Sequence, residues 1–195
     1  KLFDLDTATV SMERILGIQW CTESDEFQFN VKVSPKPCTR RGILSTIASI
    51  FDPLGFLAPY VLKGKNILQD LCRQFQEWDT PVDNNNLSRW ESWLGDLDLL
   101  RSFKVPRCFK PKTFGTVSAA ELHHFSDAST LGIGQVTYLR LVDEQNQVHI
   151  SLVSAKARVA PRTPITIPRM ELQAAVLSIK MAAFLKKEPQ VSHIE

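Results

Sequence analysis

Glu121-Leu122-His123-His124-Phe125-Ser126-Asp127-Ala128-Ser129-Thr130-Leu131-Gly132-Ile133-Gly134 decides how the C-terminal half of the chain is built. Residues 121–126 read as a strand that runs through Asp127 into a Gly-containing sheet turn. A second strand is expected over 134–142 and a third over 148–155. Asp143-Glu144-Gln145-Asn146-Gln147 supplies the hairpin turn between them. Downstream, Ala160-Pro161-Arg162-Thr163-Pro164 leads into Ile167-Pro168-Arg169-Met170-Glu171-Leu172-Gln173-Ala174-Ala175, the start of a helix expected over 168–187. Pro168 fits a first helical turn, and Lys186 and Lys187 suit the C-terminal end. On that helix Glu171 shares a face with Ala174, Ala175 and Ser178, and Leu172, Val176, Ile179 and Ala183 form the neighbouring stripe.

Upstream the pattern differs. Residues 102–120 carry Pro and Lys without periodicity and read as a linker between units at 1–101 and 121–195. Phe27-Gln28-Phe29-Asn30-Val31-Lys32-Val33 alternates apolar and polar residues; with Ile15-Leu16-Gly17-Ile18-Gln19-Trp20 and the turn residues Ser24-Asp25-Glu26 it predicts a β-hairpin. Helices are expected over 39–51, capped by Thr39, over 59–78, and over 87–100, where Trp90, Trp93, Leu94 and Leu97 share a core-facing side. The fold class is therefore α+β: a helical segment, then three antiparallel strands and a helix.

Asp127 and Glu171 are the candidate catalytic pair. One carboxylate ends a strand and the other opens a helix. If the helix packs on the sheet they come together over one place, which suits a divalent cation, since Mg²⁺ takes a few carboxylates plus phosphate oxygens. Two such groups repel when close, and a cation keeps both ionised. A simpler reading exists for each: Asp127 capping the turn that follows it, Glu171 as a first-turn acid favoured by the helix dipole. Lys156, Arg158, Arg162 and Arg169 cluster just before and at the start of that helix and are the candidate phosphate contacts. A second basic run is Lys104, Arg107, Lys110 and Lys112. His123 and His124 alternate across their strand and read as structural or solvated.

The 195 residues carry a net charge of +2, with 44% apolar and 23% charged residues. These are ordinary values for a globular chain. No apolar run reaches membrane-spanning length. Cys21, Cys38, Cys72 and Cys108 lack metal-ligand spacing and read as free, buried or half-buried thiols of a reducing compartment. Asn86-Leu87-Ser88 matches the glycosylation acceptor pattern without other signs of secretion. Lys1 is not an initiator residue, and the chain reads as a segment of a longer polypeptide.

Phe125-Ser126-Asp127-Ala128-Ser129, Gly132-Ile133-Gly134, Leu152 through Pro161 and Ile167 through Ala175 resemble, in order, the ribonuclease H of BEL/Pao-type LTR retrotransposon Pol polyproteins. Arg41-Gly42-Ile43-Leu44-Ser45 and Phe51-Asp52-Pro53-Leu54-Gly55-Phe56-Leu57-Ala58-Pro59 resemble the adjoining reverse transcriptase thumb, and Trp90-Glu91-Ser92-Trp93-Leu94 the connection. The resemblance implies a ribonuclease H-like α/β fold over 121–195. It also implies Asp127 and Glu171 as metal carboxylates for two Mg²⁺ ions, an RNA/DNA hybrid as substrate and the rest of the Pol polyprotein as partner. A cytoplasmic virus-like particle or the nucleus is the implied location, with no membrane. Two further Asp residues and the polymerase Tyr-x-Asp-Asp are not among these residues, so the chain alone is expected not to hydrolyse RNA. The region also carries the label of an aspartic Pao peptidase. Asp127-Ala128-Ser129 and Asp52-Pro53-Leu54-Gly55 both depart from the Asp-Thr/Ser-Gly loops that chemistry uses. A non-catalytic relic that keeps the fold and binds nucleic acid or protein is the remaining alternative.

Overall fold

The computed structural model describes residues 12–15, 18–29, 34–100 and 102–187. Three short strands come first: β1 (Met12–Ile15), β2 (Ile18–Cys21) and β3 (Glu26–Gln28). The hairpin expected from the turn residues forms between β2 and β3, with Trp20 opposite Phe27. Its second strand is described only to Phe29; residues 30–33 of the predicted strand lie outside the described residues. Then follow α1 (Arg40–Ala48), α2 (Ala58–Arg73), α3 (Asn84–Gly95), the single turn α4 (Leu97–Leu100) and β4 (Lys104–Pro106). The last part is β5 (Val117–Ser129), β6 (Gly132–Asp143), β7 (Val148–Val159) and α5 (Ile167–Leu185). The chain is α+β with two antiparallel sheets, ordered β1-β2-β3-β4 and β5-β6-β7.

Local chemistry accounts for the helix starts. Thr39 caps α1 by accepting from the Gly42 amide at 3.2 Å. Asp83 caps α3 by accepting from the Asn86 amide at 3.0 Å, which starts that helix three residues before the expected Leu87. α2 has Pro59 in its first turn and no side-chain cap. There the Asp52 carboxylate accepts from the Leu57 amide at 2.8 Å instead. Burial pushes the Asp52 carboxyl above its ordinary pKa despite those amide bonds.

The ends of the helices depart from expectation. α2 stops at Arg73 instead of running to Trp78. Phe75 takes a left-handed backbone with φ 55°, the Phe75 amide bonds back to Cys72 O, and the Gln76 amide bonds to Leu71 O. This is the Schellman closure in which glycine is usual, so the stop carries no Gly signal in the sequence. Helix 87–100 is two pieces, broken at Asp96. The stretch 102–120 is not wholly irregular: β4 pairs with β3, setting Val105 opposite Phe27, and β5 begins at Val117.

α1, α2 and α3 bury their apolar faces together, with Ile43 and Leu71 wholly inaccessible. Tyr60 and Trp93 stack at 4.8 Å and Trp93 and Trp90 at 4.7 Å. The Tyr60 hydroxyl donates to Trp93 O, while Trp93 Nε1 donates to Tyr60 O at 3.0 Å. The apolar faces of α1 and α2 are thus covered by each other and by α3. Asn86 of the glycosylation pattern is buried, its amide nitrogen donating to Asp83 Oδ2 at 2.6 Å, so it is closed to modification. Cys21, Cys38, Cys72 and Cys108 are free, but Cys108 is exposed instead of half-buried.

The second sheet is a middle layer. α5 lies on one face, where Met170 and Ala174 join Ile133 and Ala160 in an apolar cluster, packed by Ala128 and Ile165. Small residues let this helix approach closely: Ala174 has no exposed surface. The stripe Leu172, Val176 and Ile179 is exposed, not core. The segment leading into α2 bonds to the outer edge of β7, where Ala155 N–H donates to Leu54 O at 2.8 Å, and its residues Phe56 and Pro59 lie across the other face; Gln69 Nε2 of α2 donates to Ala160 O.

Candidate active site

Asp127 lies near the end of β5, opposite Gly134 of β6. Successive strand residues point to opposite faces. Ala128 packs in the cluster under α5, so Asp127 projects to the other side, with Phe125 and Glu121. The observed pairs agree. Glu121 meets Arg140 at 3.0 Å and Phe125 meets Tyr138 edge-on at 6.1 Å, all on the Asp127 side. His124 Nδ1 and Thr137 Oγ1 lie 2.8 Å apart on the α5 side. The two histidines therefore do separate across the strand: His123 is exposed beside Glu121 at 3.0 Å. His124 is half-buried, and desolvation, then Lys186 and His123, lower its pKa.

Glu171 sits in the first turns of α5, exposed, one position beyond buried Met170. Met170 and Ala128, the immediate neighbours of the two acids, belong to one apolar cluster. The backbones are brought together by that cluster, while the register sends the Asp127 side chain to the face α5 does not cover. Asp127 thus lies on the face of the sheet that α5 does not cover and Glu171 on α5 itself; the outer edge of β5 pairs with no other strand among the described residues. No cation pairs with either acid among the described residues, and no group of three or more His, Cys, Asp or Glu side chains there could hold a metal ion. In kind the donors fit a hard divalent cation: exposed, uncommitted carboxylate oxygens. In number they are two.

Asp127 also borders a cavity of about 410 Å³ on its own face of the sheet. Phe125, Val136, Tyr138 and Leu152 form its floor, Phe56 and Pro59 its opposite wall, and Asp127 and Lys156 are polar groups in its lining. These apolar partners were not singled out by sequence. The two-residue period Phe125–Asp127 was the available signal, but the opposite wall comes from a segment far away in the chain. Gly55 makes the wall possible. Its φ is 81°, and a Cβ there would lie 1.7 Å from Ala155 O.

Of the basic candidates, Lys156 and Arg158 are exposed on β7, Arg169 is exposed in the first turn of α5, and Arg162 is exposed in the loop between them. Arg162 turns toward α2 and stands over the Phe75 ring, 5.8 Å from its centroid. The other basic run is partly neutralised: Arg107 pairs with Asp25 and Lys104 with Glu26. Asp52 is engaged with the loop amides before α2.

A model of the Pao retrotransposon-like RNaseH-like domain matches residues 39–195. The chain belongs to that family. It is a Pao-type retrotransposon Pol sequence with an RNase H-like region, and the mixed α+β architecture agrees with that fold. The match begins at Thr39, the cap of α1, so in this family the helices α1–α4 are taken together with the sheet and α5. No curated protein matches the sequence. Among the described residues no helix is long and apolar enough to cross a membrane.

Proposed function

We propose that this chain contributes the hybrid-binding and metal-binding part of the ribonuclease H step of a Pao-type Pol protein. The observation that carries it is the placement of Asp127 and Glu171. Both are exposed and unpaired among the described residues, and the residues beside them, Ala128 and Met170, belong to one apolar cluster between β5 and α5. Asp127 and Glu171 would hold Mg²⁺. Bound there, the ion would supply charge stabilisation at the phosphate and an acidified water. The chain's own residues position the strand: Lys156, Arg158, Arg162 and Arg169 neutralise backbone phosphates of an RNA/DNA hybrid. α1–α4 serve as the thumb and connection of the adjoining reverse transcriptase. Two carboxylates are too few for a two-ion site, so the chain alone binds hybrid without turning it over.

The test measures binding of a blunt fluorescent RNA/DNA hybrid across a salt series, together with Mn²⁺ titration as a probe of the carboxylates. Replacing Arg158, Arg162 and Arg169 by Ala should weaken binding at every sequence and flatten the salt dependence by roughly one unit of slope per lost contact. Asp127→Asn should abolish the Mn²⁺ response. An unchanged salt slope together with unchanged Mn²⁺ binding rejects the reading, as does robust Mg²⁺-dependent cleavage by the chain alone for the claim of inactivity.

A further inference from the structure

The loop that joins α2 to α3 holds an arrangement that the fold does not require. Phe75 occupies the left-handed closing position of α2, where glycine carries no steric penalty, and yet the residue is 82% exposed. A strained backbone and a solvated aromatic ring at one residue gain nothing for the core, and such outliers mark interaction sites. The guanidinium of Arg162, from the loop before α5, stands over one side of the ring. Three residues on, Trp78 is also exposed, with Arg40 4.0 Å and Arg41 5.8 Å from its ring centroid. Arg73 is the last residue of α2. The acids nearby are Asp70, which pairs with Arg73 and Arg89, Asp79, which pairs with Arg41, and Glu77. Arg40 and Arg162 form no ion pair among the described residues. The surface thus alternates flat rings with cations. That is how single-stranded nucleic acid is held, bases on aromatic faces and phosphates on Arg.

We propose that Phe75, backed by Arg162, is a stacking platform for an unpaired base of a nucleic-acid strand, with Trp78, Arg40 and Arg41 continuing the track. The proposal shares its ligand class with the hybrid-binding reading and rests on it in that respect, but it concerns a different surface and an unpaired strand. Binding of oligodeoxythymidine and oligouridine is compared with binding of a blunt RNA/DNA hybrid, for the unaltered chain and for Phe75→Gly, Phe75→Leu and Phe75→Trp.

Phe75→Gly is expected to weaken single-strand binding by about tenfold and to leave the blunt hybrid unaffected. Because it relieves the left-handed strain, it should also raise Tm by about 3 °C. Loss of binding alongside gained stability separates a contact role from a folding role. Phe75→Leu should lose binding in the same way, since it lacks a flat face, and Phe75→Trp should keep it. Single-strand binding unchanged in Phe75→Gly or Phe75→Leu overturns the platform while the hybrid reading stands. Equal loss on both ligands overturns it as well. Phe75-dependent single-strand binding without any hybrid binding supports the platform and rejects the hybrid reading. No binding of either ligand by the unaltered chain overturns both.

Discussion

Asp25 fastens the first sheet at a single residue. It stands in the β2–β3 turn with φ 55° and accepts from Trp20 Nε1 at 2.9 Å, from Arg107 Nη2 at 3.1 Å and from Cys108 Sγ at 3.3 Å. The Arg107 hydrogen bond is the main reason its carboxyl is held down at about 2. A carboxyl held lower in the folded chain stabilises it above the unfolded pKa of ~3.9 and loses that contribution as pH falls toward the folded value. Asp25→Asn should therefore lower Tm most at neutral pH, and the gap to the unaltered chain should close between about pH 4 and 2. A gap independent of pH would mean that the ionised form plays no part. Asp25 was read only as a turn former, because its partners Arg107 and Cys108 lie more than eighty residues away. Asp127 and Glu171 stand out as candidates in the sequence for the opposite reason: each sits in a short motif of its own. What the sequence did not hold was the face each occupies, since that depends on which neighbour of Asp127 joins the cluster under α5.

Among the elements, strand identity was readable from alternation and helix identity from the spacing of apolar residues. Lengths were not. β5 and β7 extend past their predicted ends because their neighbours in the sheet keep pairing them, from Ser129 opposite Gly132 to Val159 opposite Gly132. β4 offered only Val105 between polar or Pro positions, and its pairing with β3 makes it a strand. Apolar spacing on α5 does not by itself tell the stripe Leu172, Val176, Ile179, which is exposed, from Met170, Ala174 and Leu177, which are buried. The α2–α3 contact gives a test at this scale. A Cβ on Gly64 would lie 2.9 Å from the Trp93 ring, which is pinned by Tyr60 on its face and by its own Nε1 bond. Helix propensity favours Gly64→Ala by ~1 kcal/mol, but overpacking a fixed ring costs about 1–3 kcal/mol. The clash should win, with Gly64→Ala lowering stability by about 1 kcal/mol in denaturant unfolding. A more stable variant would show that the two helices can slide apart.

Across the molecule, the layer order is α2 segment, sheet, α5, with the carboxylate of Asp127 facing the first of these and Glu171 carried by the last. The cavity beside Asp127 exists because the loop at Gly55 touches the backbone of β7. Gly55→Ala has no room to adapt: a left-handed backbone and a carbonyl in the way together should cost about 3 kcal/mol or more. The Ala155 amide should then lose its protection from hydrogen exchange, while the α1–α3 core keeps its own. Unaltered protection at Ala155 would place the joint elsewhere. None of this long-range seating was visible along the chain, because Gly55 and Ala155 are separated by most of the helical half and by three strands.

The sheet is finished on one flank and unfinished on the other. At mid-strand β7 is bonded to Leu54, whereas the outer edge of β5 pairs with no strand among the described residues. The flank of β5 is the freer of the two. A ribbon of polypeptide added along β5 would lie beside Asp127 and bring its own side chains to the carboxylate from the side that the present architecture leaves open.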